Sequence, residues 1–120
     1  MSFSIKPLPI HAIIISTPHR DFDAGREMAS FIRDLLGELD RAARPATFIT
    51  VIDELDSGSG NLCGYLAGLT RGERAVASHP NVKSMIVVTT NEQIVQQAEE
   101  IVQLPLMVTR TLADAVAQAG

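Results

Sequence analysis

The chain predicts an α/β domain: a mainly parallel sheet of four to five strands with about four helices. Two observations carry this expectation. Residues 12–15, 48–52, 85–88 and 106–108 are short blocks rich in β-branched and aliphatic side chains. The first three are nearly continuous, as strands covered on both faces are. Between the blocks the apolar spacing changes to that of a helix. Strand and helix thus alternate four times over, which argues for right-handed crossovers between parallel neighbours.

Size agrees with one domain over residues 1–120. With 46% hydrophobic residues, such a chain buries roughly two-thirds of its unfolded surface and needs no metal or disulfide staple.

Taken in order, residues 3–6 can add an edge strand ahead of Pro7 and Pro9. After the first block, Asp21 or Asp23 offers a carboxylate to the free amides of a first helical turn. Met28, Phe31, Ile32, Leu35, Leu36 and Leu39 then form one apolar stripe. Pro45 ends that helix, because proline disfavours a helical residue before it. A second helix is expected over about residues 61–76, with Leu62, Leu66, Leu69 and Val76 on one side. Gly64, Gly68 and Gly72 weaken it by about 1 kcal/mol each if exposed. They suit a close approach to the sheet or a break near Gly72. A turn at residues 79–81 leads into the third block. The third helix carries Ile94, Val95, Ala98, Ile101 and Val102 on one face, with Thr90 and Gln93 at capping-box spacing. A last short helix starts at Thr111, with Leu112, Ala115 and Val116 inward.

Composition excludes several function classes. Ten Lys and Arg against fourteen Asp and Glu, a net charge of −4, leave no electrostatic footprint for nucleic acid. Aromatics at 4% provide no base-stacking platform. No uncharged run reaches the roughly 18 to 20 residues that span a bilayer. The N-terminus lacks a secretory pattern, and Cys63, the lone cysteine, suits a reducing compartment. A cytoplasmic location is the expectation. Enzyme signatures fail on their parts: no lysine follows the glycines at 58 and 60, no glycine-rich turn follows the first block, and no acidic pair stands beside Ser16 and Thr17 to hold a cation with Asp53. Cys63 reads as a small core residue, and His11, His19 and His79 are too dispersed for a metal set. The expectation is a non-enzymatic domain with no cofactor and no metal.

In an open α/β sheet the working surface lies at the carboxyl ends of the strands. Here those ends bring Thr17, His19, Asp53, Thr90 and Asn91. Hydroxyls and amides beside helix N-termini suit an anionic ligand, and equally serve as ordinary helix caps. Residues 56–60, Asp-Ser-Gly-Ser-Gly, are the most distinctive segment. A phosphate on Ser57 or Ser59 would meet the positive end of the following helix.

This segment, with the order of elements around it, resembles the STAS family of anti-sigma-factor antagonists and sulfate-transporter tails. The match covers about residues 10–117 and is nearest to a divergent SpoIIAA-like group found in bacterial genomes. In that family an amphipathic helix follows the first long strand, and the next strand ends in aspartate, as residues 48–53 would. Residues 80–88 and 106–116 look like its last two strands and terminal helix. The resemblance implies a regulatory protein-binding domain whose partner is a kinase or regulator, switched by phosphorylation in an Asp-Ser-Ser-Gly motif. Ser57 and Ser59 occupy the comparable place, flanked by Asp56, Gly58 and Gly60. A glycine separates the two serines, and Asn61 stands where a hydrophobic residue is usual. Gly64, Ala67 and Gly68 offer a docking face by their small size. The alternative is a sensor that binds a small molecule or anion at the strand ends. A homodimer is left open.

Overall fold

A computed structural model describes residues 3–53, 61–70, 76, 79–90, 92, 96 and 107–119. The chain runs β1 (Phe3–Leu8), β2 (Ile13–Pro18), α1 (Ala24–Arg41), β3 (Ala46–Val51), α2 (Asn61–Thr70), β4 (Val82–Val88), β5 (Met107–Thr109) and α3 (Leu112–Ala119). The five strands form one sheet in sequential order. The fold is therefore α/β, but the sheet is mixed rather than mainly parallel. Strands β2 to β5 are parallel, whereas β1 runs antiparallel to β2, Phe3 opposite Pro18 and Leu8 opposite Ile13. The reason is the connection. Only residues 9–12 join β1 to β2, and a parallel crossover needs a dozen or more residues. The turn closes with Ala12 at φ 53°, the left-handed region that L-residues enter at a cost.

Three α-helices are present among the described residues, against about four expected. The stretch expected as the helix around residues 94–102, and the expected continuation of α2 beyond Thr70, lie outside the described residues apart from Glu92, Gln96 and Val76.

Both sheet faces are covered. Ile14, Phe48 and Val87 face α1 and α2 in a core that also holds Phe31, Leu35, Leu39, Leu66 and Leu69. Ile13, Ile15, Ile49, Ile86 and Val88 face the other way, where Ala115 of α3 packs. This two-sided burial is why the strand blocks are continuously apolar. The α1 stripe behaves as its spacing requires, with Phe31, Leu35 and Leu39 buried and Met28, Ile32 and Leu36 partly so. Asp23 caps α1, its Oδ1 accepting from Gly25 N–H at 2.9 Å. At the far end, the Asn81 side-chain amide donates to Leu39 O at 2.8 Å. His79 Nδ1 accepts from Asn81 N–H at 3.0 Å, so its Nε2–H donates to Asp40 at 2.8 Å.

In α3, Thr111 Oγ1 accepts from Asp114 N–H at 3.1 Å, as the expected start there requires. Ala115 is buried and Val116 half-buried. Leu112 departs from expectation: it is 39% exposed, at the first position of α3.

Candidate functional site

The carboxyl ends of β3, β4 and β5 are drawn together by side chains of their following residues. Asp53 Oδ1 accepts from Thr90 N–H at 2.8 Å and lies 3.4 Å from Thr90 Oγ1. Arg110 reaches Thr90 O at 3.5 Å and pairs with Glu92. Beneath this layer the backbone ladder continues, with Ile52 N–H to Val88 O at 3.1 Å and Thr89 N–H to Thr109 O at 3.0 Å. Asp53, Thr90 and Arg110 are exposed, while Thr89 is fully buried. Two of the residues expected at the strand ends, Asp53 and Thr90, are thus in direct contact.

Thr17 is half-buried in β2, opposite Ser4 of β1. His19 is half-buried in the following turn, where its carbonyl accepts from Phe22 N–H at 3.0 Å. Asn61 opens α2. Asp56, Ser57, Gly58, Ser59, Gly60 and Asn91 lie outside the described residues, as does the side chain of Cys63.

Gly64 and Gly68 sit on α2 against α1, not against the sheet. A Cβ at Gly68 would come within 2.7 Å of Met28 Cε and 2.9 Å of its Cγ, and one at Gly64 would lie 3.4 Å from Ala24 Cβ. The glycine spacing that suggests a docking face is therefore accounted for at Gly68 by the crossing of two helices of the same chain. Gly64 itself remains exposed.

One polar constellation escapes sequence reasoning. Tyr65 of α2 is fully buried, and its hydroxyl lies 2.7 Å from Thr50 Oγ1 and 3.2 Å from Ser16 Oγ. Ser16 and Thr50 are register partners on adjacent parallel strands, so the tyrosine bridges β2 and β3 from above. Its ring stacks edge-on against Phe22 at 5.5 Å, within a cluster that includes Phe3 and Phe31. Burial pushes the phenol well above its ordinary range, and the hydrogen bonds from Ser16 and Thr50 only partly offset this. Tyr65 is accordingly a neutral hydroxyl at physiological pH and no base. The available signal is the presence of hydroxyl residues within largely apolar strands, Ser16 in β2 and Thr50 in β3 among them.

No family model matches the chain, and a search of curated proteins finds no match either. The chemistry of the described strand ends is that of a hydrogen-bonded clamp. Among the described residues no group of three or more His, Cys, Asp or Glu side chains could hold a metal ion, and no helix is long and apolar enough to cross a membrane.

Proposed function

We propose that this chain is a non-enzymatic regulatory domain of STAS type, which binds a protein partner and is switched by phosphorylation at Ser57 or Ser59. The element order carries the reading. A long amphipathic helix, α1, follows β2; Asp53 follows β3; and α2 opens at Asn61, two residues after Ser59 in the chain. β4, β5 and α3 then complete the order that the resemblance calls for. A phosphoserine two or four residues ahead of a helix start gains from the free N–H groups and the dipole there. It would also stand in sequence between Asp53, which ties β3 to β4, and a helix packed on α1.

The test is phosphopeptide mapping of protein purified from its own cells. A phosphate on Ser57 or Ser59 is expected. Ser→Ala substitution at the modified position should then change capture of the partner by at least about tenfold, equivalent to about 1.4 kcal/mol. Absence of phosphate on residues 54–60 under all growth conditions would reject the switch.

A further inference from the structure

At the opposite end of the sheet from Asp53 and Thr90, a cavity of about 270 Å³ opens where α1 hands over to β3 and where the β1–β2 turn closes. Small side chains make the room: Ala12, Ala42, Ala43 and Ala46 line it, over the apolar start of β2 at Ile13 and Ile14. Glu38, Arg41 and Arg44 supply the charges. Arg41 pairs with Glu38. The Arg44 guanidinium donates one bond, 2.8 Å to Ile10 O, of the five N–H groups such a fork carries. The lining thus has one positive charge in excess. A second cavity of about 350 Å³ shares Glu38 and Arg41 and continues toward Phe3 and Ile5.

Two further features mark the same place. Ala12, in the cavity wall, holds the left-handed φ of 53°, a strain of the kind that accumulates at ligand clamps. Ile10, whose carbonyl Arg44 grips, is 85% exposed, the most exposed of the large hydrophobic residues described. An apolar floor and a guanidinium in the same lining form one amphiphilic receptor.

We propose that this cavity binds a small amphiphilic monoanion, a carboxylate on a short aliphatic chain. The carboxylate pairs with Arg44, which matches its two oxygens with parallel N–H bonds, and the chain lies over Ile13, Ile14 and the alanines. Arg41 is the second donor, exchanging Glu38 for the ligand. This site is independent of the serine segment and of the regulatory reading above.

Octanoate is the probe, titrated into the full chain by calorimetry, with octanol as the uncharged control. Saturable binding with a Kd below about 1 mM is expected, with octanol at least about tenfold weaker, as loss of a charged hydrogen bond requires. Arg44→Gln should weaken octanoate by a similar factor. Ala43→Phe places a ring on an exposed lining position and should block binding with Arg44 intact and far-ultraviolet circular dichroism unchanged. It keeps the test decisive if Arg44→Gln fails to fold. No saturable binding, equal binding of octanol, or full binding by folded Ala43→Phe would each overturn the proposal.

Discussion

Ala12 and Tyr65 show how much a single residue can concentrate. Ala12 closes a four-residue connection by adopting φ 53°, and its carbonyl accepts from Thr47 N–H at 2.9 Å, which starts the pairing of β2 with β3. An L-residue there pays about 1–2 kcal/mol, and glycine would avoid that while adding about 0.4–1 kcal/mol of unfolded-state entropy. Ala12→Gly should therefore stabilise the chain by about 0.5–1 kcal/mol, read from the midpoint of urea unfolding. Tyr65 concentrates the opposite kind of energy. Its hydroxyl serves two strands at once, and Tyr65→Phe would take this partner from the buried Ser16 and Thr50 hydroxyls. A cost of about 1–2 kcal/mol is expected in the same measurement.

At the scale of elements, the crossing of α1 and α2 is set by an absent side chain. Gly68→Ala should gain up to about 1 kcal/mol of helix propensity yet lose more by driving a Cβ into Met28, for a net destabilisation of about 1 kcal/mol. In a Met28→Ala background the same substitution should become neutral or stabilising, and a double-mutant cycle measures that coupling directly. The sequence suggests a close approach of the glycines to the sheet or a break near Gly72; at Gly68 the neighbour is α1 rather than the sheet, because spacing alone does not name the partner. Helix α1 was legible because its stripe, its Asp23 cap and its Pro45 stop all act within a few residues. The mixed character of the sheet, where a mainly parallel one is expected, escapes the sequence for a different reason. Continuous apolar blocks report that both faces are covered and are silent about strand direction, which here follows from the length of one connection. The Tyr65 bridge was invisible because its partners lie 49 and 15 residues away in the chain, so it exists only once the register of β2 and β3 is known.

The whole molecule couples this buried phenol to its pH response. Tyr65 is the sole tyrosine, and there is no tryptophan, so ionisation of this one residue is directly visible. An unfolded tyrosine releases its proton near pH 10, whereas burial holds the folded phenol protonated well beyond that. Above about pH 10 the folded chain therefore binds more protons than the unfolded one, and stability falls as pH rises. Below that range this contribution is fully present. Tyrosinate absorbance should stay absent from the folded protein above pH 10 and then appear together with the loss of circular dichroism, in one transition. A smooth tyrosinate titration near pH 10 with the fold intact would contradict the burial of Tyr65. The same scale explains what remained out of reach at the candidate site. Asp53 and Thr90 meet because β3 and β4 are in parallel register, a fact of the assembled sheet rather than of either segment.

The sequential order of the strands has a consequence for assembly. Each strand finds its partner in the segment made just before it, so no strand must be threaded between two already in place. Only the β1–β2 closure is short; each parallel pairing must first close a crossover of about 18 to 30 residues, so those pairings form more slowly. The sheet can be laid down from β1 outward, one row at a time, while the remainder of the chain is still emerging from the ribosome.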